Sequence, residues 1–207
     1  RWEESRMGDL TLPRVDSAVA TLNSVGVFII GGDADNNART SDFLAAGQMQ
    51  WQEGPALPVD MYQGCAVTIT PSSYLAIYGF DIREFDAVIA GPTNIESWRE
   101  AGRWPRLKTS RTGWPGCAKL GQKVIIAGGY NRGALRSTEV LDLDSRKITA
   151  GGDLATPRYW FHLAAIGSGG EEKVFAVAGR DVSDNELNSV EEWVEESSTW
   201  KAADNIA

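Results

Sequence analysis

The chain has 207 residues, 43% hydrophobic and 23% charged, which is enough apolar mass for a packed domain or repeat array and argues against global disorder. Its net charge of −8 and pI near 4.8 repel phosphate backbones and anionic lipid, so nucleic acid and membrane insertion are not expected. No apolar run approaches the ~18 residues of a membrane span, no Asn opens a glycosylation sequon, and two cysteines are too few for a disulfide scaffold.

Along the chain, four units share one grammar. Each has a small-residue strand, a β-branched strand ending in Gly, a third strand, and a fourth marked in three units by Trp. Arg1-Trp2-Glu3-Glu4 does not read as a signal peptide and instead looks like the end of an earlier unit. Unit one (about 12–51) opens at Leu12-Pro13-Arg14, with strands expected at Val27–Gly31, Ser41–Ala45 and around Trp51. Unit two (about 57–98) opens at Leu57-Pro58, with strands at Leu75–Gly79, Phe85–Ile89 and around Trp98. Unit three (about 105–149) opens at Trp104-Pro105-Arg106, with strands at Val124–Gly128, Ser137–Asp142 and around Ile148. Unit four (about 156–201) opens at Thr156-Pro157-Arg158, with strands at Val174–Gly179, Asn188–Val194 and around Trp200. Val, Ile, Phe and Tyr suit a pleated buried surface. The closing glycines Gly31, Gly79, Gly128 and Gly179 recur with a period of about 50 residues. The marker series Trp2, Trp51, Trp98, Ile148 and Trp200 runs in phase with them.

The double glycines Gly31-Gly32 and Gly128-Gly129, Ser137-x-Glu139-Val140, Ser189-Val-Glu-Glu192, Arg158-Tyr-Trp-Phe-His162 and the spaced Trp together resemble kelch repeats. The resemblance spans nearly the whole chain and is weakest in unit two, where Gly79-Phe80 replaces the double glycine. It implies an all-β fold: a kelch-type β-propeller, or propeller arc, of four-stranded antiparallel blades forming a single region over 1–207. Residues 1–4 are then the remnant of a preceding blade, and about two further blades are expected outside the sequence, with a compact four-bladed closure as the alternative.

The chemistry-bearing residues are sparse. His162 is the only histidine and is expected to be a core residue tying strands together; one histidine cannot build the copper or zinc sites that need several. Asp33-Ala-Asp35-Asn36-Asn37 begins like a calcium loop, but Ala38 and Leu44 stand where Gly and Glu are required. Turn chemistry accounts for it, and for Asp181, Asp184, Asn185 and Glu186. No cofactor, metal or catalytic residue is expected. Cys65 and Cys117 occupy matching places on innermost strands, either as buried free thiols or as a cross-blade disulfide. A cytoplasmic location is the expectation, with secretion the alternative.

Tyr, Trp and Arg carry most hot-spot energy in protein interfaces. The loops between units and after the closing glycines share one propeller face, which carries Arg14, Tyr62, Arg106, Arg111, Tyr130, Arg132, Arg158, Tyr159 and Arg180. The binding residues expected there are Arg14, Tyr62, Arg111, Tyr130, Arg132, Arg158, Tyr159 and Arg180, suited to an acidic peptide through bidentate bonds. The competing reading pairs each Arg with a carboxylate of a neighbouring blade. The expected function is a non-enzymatic protein-interaction module, scaffold or adaptor. The resemblance also admits actin binding, substrate recognition within a ubiquitin-ligase adaptor, and a sugar-acting enzyme.

Overall fold

The structure is a computed structural model that describes residues 8–22, 25–32, 37–78, 81–91, 94–167 and 171–203, with the backbone alone at 87–91 and 94. It is all-β. Four antiparallel sheets each take four consecutive strands, paired in chain order. Blade one holds β1 (Ala18–Leu22), β2 (Gly26–Ile30), β3 (Ser41–Ala45) and β4 (Gln52–Gly54). Blade two holds β5 (Cys65–Thr70), β6 (Ser73–Tyr78), β7 (Asp81–Gly91) and β8 (Asn94–Arg103). Blade three holds β9 (Gly116–Leu120), β10 (Lys123–Ala127), β11 (Thr138–Asp142) and β12 (Lys147–Gly151). Blade four holds β13 (His162–Ile166), β14 (Lys173–Val177), β15 (Val190–Val194) and β16 (Thr199–Ala203). The blades form a propeller arrangement. Their first strands β1, β5, β9 and β13 all line one axial channel, with successive cavities of about 500 and 640 Å³.

Alternation along a strand sends neighbouring side chains to opposite faces, so a blade between two others must be apolar on both. In the middle blades this holds for β6 and β10, which are buried almost throughout. Between blades one and two, Phe28 meets Trp98 edge-on at 4.9 Å, and Trp98 meets Tyr74 at 5.1 Å. Leu75, Ile77 and Ile82 of blade two bury against Val124, Ile126 and Leu141 of blade three. Ile125 and Val140 of blade three bury against Val174 and Trp193 of blade four.

The closing glycines answer a backbone demand. Gly31 and Gly128 have φ of 65° and 58°, and a Cβ on Gly31 would lie 1.9 Å from the Met61 carbonyl oxygen. In unit four that position belongs to Ala178, with φ of 58°, so Gly179 matches the second glycine of the pair. Gly79-Phe80 lies outside the described residues, as do Arg1–Glu4 and Asp33–Asn36.

Some expectations change. The third strand expected at Phe85–Ile89 lies inside the 11-residue β7, which pairs with the 10-residue β8 through three register shifts. Trp98, Trp104 and Trp193 are core residues, whereas Trp51 and Trp200 are half-buried. Trp104 lies in the segment that joins β8 to β9, is buried, donates to Glu84 at 3.0 Å and lies under the Arg146 guanidinium. His162 is exposed on the channel wall rather than tied into the core.

Of the two readings of the cysteines, the disulfide holds. Cys65 and Cys117 are bonded across the seam between blades two and three. They are not at equivalent positions: Cys65 opposes Ile77, on the side facing blade three, while Cys117 opposes Ile126, on the side facing blade two. That offset turns the sulfurs toward each other. The bond closes a 52-residue separation. Reducing it is expected to remove roughly 2–4 kcal/mol of stability, measured by urea unfolding with and without dithiothreitol. A Cys65→Ser/Cys117→Ser variant should match the reduced protein and be insensitive to reductant.

Candidate functional site

The first question is where the expected binding residues stand. Arg14, Arg111 and Arg158 do not reach the face. Each folds back into its own blade, with side chains 1%, 0% and 0% exposed. Each pairs with a third-strand carboxylate: Arg14 with Asp42 at 2.6 Å, Arg111 with Glu139 at 3.2 Å and Arg158 with Glu191 at 2.7 Å. The partner belongs to the same blade, not to a neighbouring one.

The three sites repeat the same set of bonds. Each Nη1 donates to two backbone carbonyls: Gly31 and Thr40, Gly128 and Ser137, Ala178 and Ser189. The carboxylate also accepts from backbone N–H groups of the turn that opens the blade: Thr11, Lys108 and Thr109, or Ala155 and Thr156. The turn, the closing position and the third strand are thus clamped around one buried pair. Burial pulls the Arg111 and Arg158 pKa values down, and Glu139 and Glu191 oppose that shift. Blade two lacks the clamp. Met61 occupies the arginine's place, its carbonyl accepting from Gly32 as that of Arg158 accepts from Gly129. The third-strand residue at the carboxylate's register position is Arg83.

Immediately beyond the clamp the chain turns into the channel mouth. Asp16, Gln63, Trp114 and Trp160, each two residues before a first strand, all have positive φ (61°, 53°, 48° and 49°). For a bulky side chain this region costs on the order of 1 kcal/mol or more, and such strain concentrates at functional sites. The four residues ring the mouth. The Gln63 N–H donates to the Asp16 carbonyl, and the Trp114 N–H donates to the Gln63 carbonyl at 2.7 Å. Asp16 binds side chains too: Oδ1 accepts from Trp114 Nε1 at 2.7 Å and Oδ2 from Gln63 Nε2 at 3.2 Å.

On the side of blades three and four the mouth is aromatic. Trp114 packs on Trp160 at 4.6 Å and on Tyr159 at 5.8 Å, and Tyr130 packs on Tyr159 at 5.2 Å. Trp160 is 47% exposed and Tyr130 37%, so the cluster presents ring faces to solvent. Tyr159 is buried beneath them, and its hydroxyl donates to Asp184. That bond pushes the Tyr159 pKa up and, followed by the Arg180 hydrogen bond, holds the Asp184 pKa below its ordinary value. The Arg180 guanidinium lies 5.5 Å from the Trp160 ring centre and pairs with Asp184 at 3.0 Å and Glu186 at 3.4 Å.

The structure therefore brings Tyr130, Tyr159 and Arg180 together, with Arg132 exposed on the turn after Tyr130 at φ of 58°. Tyr62, 45% exposed, stands apart beside Asp60 and Tyr78. Arg106 pairs with Asp81 at 3.1 Å. Asp16, Gln63, Trp114 and Trp160 are not among the binding residues that the sequence suggests. The available signal was position, since all four precede a first strand by the same two residues. The mouth can adsorb an apolar or aromatic side chain against ring faces, with the 500 Å³ cavity beneath. No family model matches the chain, and no curated protein matches it.

Proposed function

We propose that this chain is a kelch-type propeller that works as a non-enzymatic protein-interaction module, a scaffold or adaptor, and that it grips its partner at the aromatic mouth of blades three and four. One observation carries the reading: two tryptophans are held in a strained backbone conformation, and one of them shows nearly half its surface to solvent. Exposed Trp and Tyr on a rigid frame are the residues that anchor partner peptides. The partner segment is extended and carries an apolar or aromatic anchor. An acidic peptide finds less support, because three of the expected arginine forks are used inside the blades and Arg180 is already paired. The disulfide further favours an oxidising compartment over the cytoplasm. Thiol titration of protein isolated under alkylating, non-reducing conditions tests this: no free thiol is expected, and two would overturn it.

The binding test is selection of a random-peptide phage library on the intact chain. Enriched peptides should share an aromatic or large apolar residue. Trp160→Ala is expected to weaken their binding about 30-fold, the equivalent of ~2 kcal/mol, with the melting temperature nearly unchanged. Selected peptides that bind the variant equally well would place the binding surface elsewhere.

A further inference from the structure

We infer that a cavity between the third and fourth strands of blade two and the turn that follows them is a binding site for a single carboxylate of a partner polypeptide.

Blade two lacks the buried clamp of the other three, and its charges are reversed. Met61 stands at the arginine's place and Arg83 at the acid's. Arg83, 15% exposed at the side chain, meets Glu100 at 3.3 Å and Asp81 at 3.8 Å. Each of these acids also serves a second guanidinium: Glu100 pairs with Arg103 at 3.5 Å and Asp81 with Arg106 at 3.1 Å. Three arginines therefore share two carboxylates, whereas each clamp sets one arginine against one acid. The cavity they line has a volume of about 240 Å³, with Ile82 and Trp104 completing its wall. It shares no residue with the axial channel. Blade one packs on one side of blade two and blade three on the other.

Two observations point to an anion. The first is the excess of one positive charge at the cavity, in a chain whose net charge is −8. Arg180 has the opposite balance, one guanidinium against Asp184 and Glu186. The second is Arg83 Nε, which is buried without a hydrogen-bond partner. A buried donor left without an acceptor is costly. The Nε atoms of Arg111 and Arg158 lack partners too, but those side chains are 0% exposed inside their blades, while Arg83 borders the cavity. Trp104 gives the cavity a fixed apolar wall: it is buried, its indole N–H donates to Glu84 at 3.0 Å, and the Arg146 guanidinium lies 4.5 Å from its ring centre. Beside such a wall the dielectric is low and charge pairing strengthens. A guanidinium fork donates to a carboxylate through two parallel hydrogen bonds. One carboxylate cancels the excess charge, whereas a phosphate dianion would leave the site negative beside Asp81 and Glu100. The site is independent of the aromatic mouth and does not rest on it.

Nuclear magnetic resonance titration of the intact chain tests this, following the Arg83 Nε–H and Trp104 indole signals. The probes are N-acetylglutamate α-amide, which carries only a side-chain carboxylate, N-acetylglycine, which carries only a terminal one, and the neutral N-acetylglutamine amide. At least one of the two acids should shift both signals saturably, and the neutral amide should not. The acid that saturates at lower concentration tells an acidic side chain from a chain terminus as the natural ligand. Arg103 is 71% exposed, so Arg103→Gln should leave the melting temperature unchanged. It should weaken binding about ten-fold, by removing one guanidinium fork. No saturable shift with either acid, or an unchanged affinity in Arg103→Gln, overturns the proposal. Inorganic phosphate binding more tightly than both acids overturns the assignment to a carboxylate.

Discussion

Replacing Arg111 with Ala is expected to cost about 3–5 kcal/mol of folding stability, because it strands a buried carboxylate without its cation. Glu139 is only 4% exposed at the side chain. It would keep only the backbone N–H groups of Lys108 and Thr109, while the carbonyls of Gly128 and Ser137 lose their shared donor. Arg158→Ala should behave alike, through Glu191. Chemical denaturation at neutral pH measures both. Blade two supplies the control: Met61 fills the arginine's position there, so the repeat tolerates an apolar side chain when no acid faces it. Arg111→Met/Glu139→Ala should recover part of the loss. It should not recover all of it, since two turn amides lose their acceptor. A single replacement costing under about 1 kcal/mol would mean that the pair is hydrated and the clamp does not hold the blade.

The second large effect is expected at Trp98. Its ring fills the seam between Phe28 and Tyr74, so truncation to Ala should cost roughly 3–5 kcal/mol. Trp51→Ala should cost clearly less, because that ring is half-buried and precedes a fourth strand of only three residues. Equal costs at the two sites would show that the fourth strand of blade one packs as deeply as that of blade two.

The contrast between these tryptophans shows how far the sequence reaches. Both fit the same period, and period alone does not distinguish them. Trp98 packs into the cluster between blades one and two and is buried, whereas Trp200, although it lies against blade three and donates its indole N–H to Thr138 at 2.9 Å, stays half-buried, so how deeply the neighbouring blade covers the ring decides its burial.

Local pattern determined the all-β class, the four units, the β-branched second strands and the closing glycines Gly31 and Gly128, which take positive φ. These follow from strand alternation and glycine sterics over a few neighbouring residues. Tertiary structure alone decided that Arg14, Arg111 and Arg158 are used inside their blades, because their carboxylates lie 28, 28 and 33 residues downstream on another strand. It likewise decided that Cys65 and Cys117 meet, since their side chains face each other only when two blades pack with a one-residue offset between them. The aromatic mouth has the same origin. Trp114 and Trp160 sit in consecutive units, and only the closeness of the first strands β9 and β13 around the channel sets their rings 4.6 Å apart.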